Sequence, residues 1–423
     1  MKQVHRTANP LACEGGSKLI EAPFKKYNSI GSEEVQAANR VLNSGCLSAF
    51  VGGKGQYFLG GEEIIQLEED AKDYFRVRNV IAVNSWTSGL IACVGAIGIE
   101  PGDEIIVPTW TMAATATCVL HWNAIPVFAD IDPQTFNIDP RSIEEKITKR
   151  TKAVIAVDIF GQSCNIKRIR EITDKNNITL ITDTAQSPGA ISGDSYAGTN
   201  SDIGGFSLNY HKHIHCGEGG LIITNDDKLA ERTRLIRNHG EAVIESNNPH
   251  ELKNIIGYNF RLGEIEAAIA REQLKKLSSI VIRRQEIAGK LNVGLANLKG
   301  LKLPYIDKEQ THVYYVYGLL LELDKLKRDR NWIYKALEAE GVQGLMKGYA
   351  NIHLLPIFQN KIAYGTNGFP WNESDIDYKK GICPVAERYH DEEFLGLQLC
   401  MYEFENSEIN QLIEAFQKVW AFL

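Results

Sequence analysis

The sequence has no apolar run near the roughly 20 residues a helix needs to cross a bilayer, which excludes a helical membrane span. Its opening, MKQVHRTANPLACEGG, carries charges but lacks the apolar centre of a secretory signal. It also lacks any Cys-x-x-Cys pair. The eight cysteines (Cys13, Cys46, Cys93, Cys118, Cys164, Cys216, Cys383 and Cys400) are scattered, and several lie in apolar segments. They read as reduced thiols, so a cytoplasmic protein is expected rather than a disulfide-framed secreted one. A basic surplus is missing too: 46 Lys and Arg face 53 Asp and Glu, for a net charge of -7. That balance argues against a nucleic-acid partner but leaves room for a local phosphate site, which needs only a few donors. The chain shows neither internal repeats nor low-complexity tracts.

What is present is a long, ordinary globular sequence. With 423 residues, 44% of them hydrophobic, it exceeds one core, and two domains are expected, one of them large. The first 30 residues read as an arm. GSEEVQAANRVLNSG reads as a helix capped by Ser32 and stopped by Gly45, and EEIIQLEEDAKDYF as a second helix after a glycine-rich loop. From residue 79 short β-branched runs alternate with helical patterns. NVIAVNS, DEIIVP, AIPVFADI, AVIAVDIF, ITLITD, DIGGFSL and GLIITND read as strands, and TSGLIACVGAIGI as a helix opened by Thr87 and Ser88. Strands separated by helices imply βαβ units and a mostly parallel sheet, which binds ligands beyond its strand ends. A long helical stretch from Arg261 then leads into a smaller α+β region, in which HVYYVYGLLLEL is expected to be a strand.

One stretch at a strand end, SLNYHKHIHCGEGG, poses a choice. His211, His213 and His215 alternate and, on a strand, would share a face that suits zinc. No further cluster supplies a fourth ligand, and a loop beside a strand is the plain alternative. Lys212, in their midst, can instead carry the chemistry as the Schiff-base amine of an aldehyde cofactor such as pyridoxal 5'-phosphate. That chemistry asks for an acid at the pyridine nitrogen, donors at a helix N-terminus for the phosphate, and an apolar group against the ring. Asp183, ending ITLITD, suits the first role, with a helix cap as its alternative. Gln186 can reach the phenolic oxygen. Thr87 and Ser88 open a helix after a strand and suit the phosphate, and Ser207 adds a hydroxyl at another strand end.

These residues lie in segments that resemble the DegT/StrS-type sugar aminotransferases. The resemblance runs from about residue 25 to the C-terminus. It is carried by GIEPGDEIIVPTWTMAATATCVLHWNAIPVFADIDPQTFNIDP, DTAQSPGA, SLNYHKHIHCGEGG, GYNFRLGEIEAAIAREQLKKL and CPVAER. It implies a fold type I, aspartate aminotransferase-like α/β chain. The expected parts are an arm (1–30), a large domain with a mostly parallel seven-stranded sheet flanked by helices (31–265), and a linker helix with a smaller α+β C-terminal domain (266–423). It further implies pyridoxal 5'-phosphate on Lys212, a glutamate or glutamine donor, and a nucleotide-linked keto-deoxysugar acceptor. A ketocyclitol acceptor, or sugar dehydration with the same cofactor, stands as the alternative, and Lys212 disfavours dehydration, for which histidine is expected at that position. A cofactor-binding protein without turnover is a third reading. The family pattern places Arg261 near the partner subunit's cofactor phosphate, implying a homodimer with shared sites. It makes His353 a substrate-side candidate, with a packed loop histidine as the equal alternative, and it turns His211 and His213 from a metal site into neighbours of the pocket or the dimer interface, His211 being a further substrate-side candidate. Three positions depart from the family. Trp86 replaces a glycine before Thr87 and is a candidate substrate contact. Met112 stands where a ring-stacking aromatic is usual, and Asp158 where histidine is common.

Overall fold

In the computed structural model, residues 10–53, 55–241 and 254–423 are described; residues 1–9 of the expected arm and Lys54 of the glycine-rich loop lie outside them. The first half builds the large sheet. Its strands are β1 (Asn79–Val83), β2 (Glu104–Pro108), β3 (Ile125–Ala129), β4 (Thr151–Val157), β5 (Thr179–Asp183), β8 (Ile203–Ser207) and β9 (Gly220–Thr224), while β6 (Ile191–Ser192) and β7 (Ser195–Tyr196) form a separate hairpin. The order is β1-β9-β8-β5-β4-β2-β3, and β9 alone runs antiparallel to its neighbours. This is the mostly parallel seven-stranded sheet expected.

Every residue of β1, β2, β3, β8 and β9 is buried, as a sheet covered on both faces requires. Side chains alternate between the two covers. Ile105 and Ile155 join the core under α3 (Trp86–Ala96) and α4 (Ala114–Leu120), whereas Ile106 and Val154 join the one under α5 (Pro140–Lys146) and α6 (Ile166–Asn176). α1 (Ser32–Ser44) and α2 (Glu62–Phe75) pack on α8 (Glu264–Leu295), and α7 (Asp227–Arg237) lies beside α3. Glu264, the first residue of α8, caps a neighbour: its carboxylate accepts from the backbone N–H of Gly61 (2.9 Å) and Glu63 (2.8 Å) at the start of α2.

α8 serves two cores. Ala267, Leu274 and Leu277 pack with α2, while Ile287, Leu291 and Leu295 pack under a four-stranded antiparallel sheet. That sheet has the order β10 (Leu301–Lys302), β11 (Tyr317–Leu321), β13 (Phe394–Leu397), β12 (Leu345–Met346). It is backed by α9 (Arg330–Ala339) and α12 (Asn406–Trp420), and the excursion between β12 and β13 carries α10 (Pro356–Gln359) and α11 (Pro384–Arg388). Leu11, Ile20 and Phe24 from the N-terminal segment complete this second core.

Three expected boundaries shift. α1 is capped at Gly31 rather than Ser32, with the Gly31 N–H donating to Glu34 Oε2 at 2.7 Å. α3 begins at Trp86 with Ser85 as its cap, so Thr87 and Ser88 already lie inside the first turn. HVYYVYGLLLEL is not one strand. β11 starts at Tyr317, because the preceding residues bond to another loop: Val313 N–H reaches Gly161 O at 2.7 Å and Val316 N–H reaches Phe160 O at 3.1 Å.

Candidate active site

The C-terminal ends of the parallel strands converge, because β5 and β8 are neighbours in register: Asp183 pairs with Gly205, and Val157 at the end of β4 pairs with Asp183. Beyond β8 the chain curls back, with Lys212 N–H bonded to Asn209 O (2.9 Å) and Cys216 N–H to Leu208 O (3.1 Å), before returning as β9. The curl tucks Lys212 inward until only 8% of it is exposed. Its Nζ sits 4.5 Å over the Tyr315 ring and 3.5 Å from the Tyr315 hydroxyl, and among the described residues no carboxylate lies within ion-pair distance of it. Burial therefore pulls the amine down to about 8 from its ordinary 10.5, even though the charge of Asp183 counteracts this.

Asp183 is buried and held on both oxygens. Oδ1 accepts from Trp86 Nε1 (2.7 Å) and Ala185 N–H (3.2 Å), and Oδ2 accepts from the Thr115 hydroxyl (2.9 Å). Burial raises its carboxyl above the usual range, and the Trp86 and Thr115 donors offset part of that rise. A carboxylate offers about four acceptor directions. One on Oδ2 remains for a further donor.

The other expected residues surround this corner. Gln186 is buried; its Oε1 takes the Phe160 N–H (2.9 Å) and its Nε2 donates to the Tyr349 hydroxyl (3.0 Å), leaving one Nε2 hydrogen for a ligand. Thr87 is exposed at the first turn of α3, where the start of a helix offers donors that suit an anion. Ser88 is committed to the cap: its N–H bonds Ser85 Oγ at 3.1 Å, and the two hydroxyls lie 2.9 Å apart. Ser207, buried at the end of β8, receives the Asn209 N–H on its hydroxyl at 3.3 Å. Arg261 reaches Asn259 Oδ1 (2.9 Å) and Asn238 Oδ1 (3.2 Å), beside the loop that ends β1. Met112 is 60% exposed on the loop after β2.

The three histidines occupy different surroundings. His213 is fully buried with Nε2 2.9 Å from the Val313 carbonyl, and burial lowers it to about 3. His211, partly buried against Tyr315 and next to Lys212, falls to about 4 through burial and the lysine charge. The backbone N–H of His215 donates to Gln273 Oε1 of α8 at 3.3 Å. Among the described residues, no group of three or more His, Cys, Asp or Glu side chains is placed to hold a metal.

Two of the substrate-side candidates are buried and engaged within the fold. His353 is fully buried, and both its nitrogens are engaged, Nδ1 with Thr109 Oγ1 at 2.5 Å and Nε2 with Glu387 Oε1 at 3.0 Å. It fastens the excursion between β12 and β13 and has no free nitrogen for a ligand. Trp86 turns under α3 onto the sheet, with its N–H on Asp183. The Asp158 departure is structural as well: its buried carboxylate accepts from Cys164 N–H (2.8 Å) and Thr184 Oγ1 (2.7 Å), and burial lifts it to about 6.

Sequence reading missed Tyr315, Tyr349 and Thr115. Tyr315 covers Lys212, Tyr349 is held by Gln186 and stacks on Phe160 with centroids 6.0 Å apart, and Thr115 holds Asp183. The cluster of tyrosines in HVYYVYG was the available signal for the first.

Comparison with known proteins agrees with this geometry. The model of the DegT/DnrJ/EryC1/StrS aminotransferase family matches residues 29–393. The chain is 31% identical over 348 residues to the spore coat polysaccharide biosynthesis protein SpsC of Bacillus subtilis, covering 81% of this chain and 86% of that one. It is 35% identical over 297 residues to GDP-perosamine synthase of Caulobacter vibrioides, covering 70% and 78%. The crystal structure of an aminotransferase from Psychrobacter cryohalolentis superposes with a TM-score of 0.82 at 27% identity, over 95% of this chain and 99% of that one. This chain is thus a member of the DegT/DnrJ/EryC1/StrS aminotransferase family.

Proposed function

We propose that the chain is a pyridoxal 5'-phosphate-dependent aminotransferase that moves an amino group from L-glutamate or L-glutamine to the keto group of a nucleotide-linked keto-deoxysugar. The observation that carries the reading is the buried Lys212 amine, unpaired among the described residues, facing a corner whose carboxylate, Asp183, keeps an acceptor direction free. The donor set fits the cofactor: a lone amine, a buried acid, and hydroxyls and amides at the start of α3. Bound there, the cofactor would supply an aldehyde that captures amines and a ring that withdraws electrons from the adjacent carbon.

The protein's own groups would then divide the work. With an amine lowered to about 8, roughly a tenth of Lys212 is neutral at pH 7, enough for Nζ to take a proton from a substrate carbon and return it. Asp183 Oδ2 would hold a proton at the ring nitrogen. Thr87 and the first amides of α3 would bind the phosphate, and Tyr315 would shield the amine from water. Arg261 would complete the phosphate site of a second copy, which makes the working unit a homodimer. GDP-perosamine synthase and the spore coat polysaccharide protein, by their names, act in sugar chemistry, which favours a nucleotide-sugar acceptor here.

The test is to load the purified protein with pyridoxal phosphate, add each donor in turn, and follow the visible absorbance. A panel of nucleotide-linked keto sugars and ketocyclitols is then added, with products read by mass. A gain of an amino group on a nucleotide sugar is expected. Amination of cyclitols alone would move the substrate to that class, loss of water would make the protein a dehydratase, and no spectral change with either donor would overturn the reading.

A further inference from the structure

Trp86 stands at the first position of α3, where an exposed side chain is usual, yet it is only 6% exposed. The ring is folded beneath the helix, and the space for it is made by missing side chains. A Cβ on Gly89, one turn along α3, would lie 2.6 Å from Trp86 Cε3. A Cβ on Gly205 would lie 2.4 Å from Trp86 Cζ3. Gly205 is the strand residue that pairs with Asp183 across β5 and β8, so the indole lies on the strand next to the carboxylate. From there its N–H donates to Asp183 Oδ1 at 2.7 Å.

We propose that Trp86 is a positioning residue that clamps Asp183 Oδ1, so that Oδ2 alone is presented to the cofactor ring nitrogen. The inference rests on the aminotransferase reading above. With Trp86 and the Ala185 N–H on Oδ1 and only the Thr115 hydroxyl on Oδ2, the carboxylate cannot exchange its oxygens by rotation without breaking these bonds. A tryptophan that merely filled space would leave its N–H to any nearby carbonyl; here the N–H makes a charge-assisted bond to a buried acid. The same residue opens α3, whose next residue, Thr87, is the proposed phosphate contact. One side chain thus ties the position of the ring-nitrogen acceptor to that of the phosphate end.

The experiment has a part without cofactor and a part with it. In protein labelled with 15N at the tryptophan indoles, the Trp86 signal is assigned by its loss in Trp86→Phe. Slow hydrogen exchange and a clear shift of this signal in Asp183→Asn are expected. In the loaded protein, Trp86→Phe is expected to weaken pyridoxal phosphate binding about ten- to a hundredfold, the scale of a hydrogen bond to a charged group. It should also move the 15N signal of labelled cofactor at the ring nitrogen toward the unprotonated position, which a purely structural change would leave in place. An indole signal indifferent to Asp183→Asn, or binding within twofold and an unmoved ring-nitrogen signal in Trp86→Phe, overturns the clamp. If Trp86→Phe does not fold, the indole response of Asp183→Asn in the Trp86-containing protein decides alone, with the assignment made through Gly89→Ala, which crowds that ring. Wild-type protein that binds no pyridoxal phosphate overturns the aminotransferase reading instead, while the indole measurement still reports on the bond itself.

Discussion

Two buried polar clusters stand at the same edge of the large sheet and are built from the same kinds of side chain, yet they differ in what they leave unspent. In the first, Thr109, His353 and Glu387 form a chain that resembles a hydroxyl-imidazole-carboxylate relay. Its members are fully engaged, for Glu387 also accepts the backbone N–H groups of Gly381 (2.8 Å) and Cys383 (3.3 Å). Burial lowers the imidazole's pKa against the opposing pull of Glu387, and a carboxylate partner, which can only accept, puts a hydrogen on Nε2. The second cluster, Trp86, Thr115, Asp183, Lys212 and Tyr315, is equally dry but keeps an amine without a salt bridge and an open acceptor direction. Residue type alone would favour the first as a catalytic site. Counting hydrogen-bonding capacity selects the second, because chemistry needs groups whose partners have not yet arrived.

Lys212→Ala breaks the contrast most completely. Without the amine, nothing at this corner can shuttle a proton to a substrate carbon, and turnover should fall by several orders of magnitude while the fold persists. Borohydride reduction of the loaded wild-type protein, followed by peptide mapping, should place the adduct on Lys212; an adduct on another lysine would refute the assignment. Asp183→Asn comes next. It keeps the shape and removes the charge, so the half-reaction with the donor should slow about a hundred- to a thousandfold, the scale of losing one strong electrostatic contact. Near-normal rates would reduce Asp183 to a structural acid.

Much of this corner was legible in the sequence, for a definite reason. Parallel strands bury continuous apolar runs, so a polar residue ending such a run marks the functional edge, and Asp183 and Ser207 were found that way. Lys212 stands out as a lone lysine among three histidines at a strand end. The partners arriving from distant loops were not legible. Tyr315 reaches the amine because its segment bonds to Phe160 and Gly161, where Gly161 has a φ of +117° and its Cβ would come within 2.6 Å of the Tyr314 nitrogen. Strand-like composition hid that detour. Trp86 was visible as a departure, but its inward turn depends on two glycines, Gly89 and Gly205, far apart in the chain. For His353 the sequence leaves the substrate side and a packed loop equally open, because its partners, Thr109 and Glu387, come from opposite sides of it in sequence.

The closed cluster makes the opposite prediction from the open one. Glu387→Ala would leave the buried Cys383 amide and His353 N–H without acceptors, while the exposed Gly381 amide would turn to water. Unfolding free energy should drop by about 2 to 4 kcal/mol, read from the urea midpoint. Turnover measured well below the unfolding temperature should stay within a few-fold. A variant as stable as the wild type but inactive would return His353 and Glu387 to the chemistry and erase the distinction.

The smallest effect tests the cost of the open cluster. An amine that sits near 8 when folded and near 10.5 when unfolded binds fewer protons in the folded state between those values. Stability of the cofactor-free protein should therefore rise as pH increases from about 8 to about 10.5, and the lysine should weigh against the fold below that window. Lys212→Met removes the charge and keeps an unbranched apolar stem against Tyr315. At pH 7 the variant should be more stable than the wild type by up to about 3 kcal/mol, since each pKa unit is worth about 1.4 kcal/mol. The gap should shrink to a few tenths of a kcal/mol by about pH 10.5, where the amine is neutral in the folded chain and half neutral in the unfolded one. Denaturant midpoints of the two cofactor-free proteins at pH 7, 9 and 10.5 measure it directly. A less stable Lys212→Met protein at pH 7, or a gap that does not shrink with rising pH, would mean that the lysine is solvated or paired, and the site would lose the unspent amine that separates it from its closed neighbour.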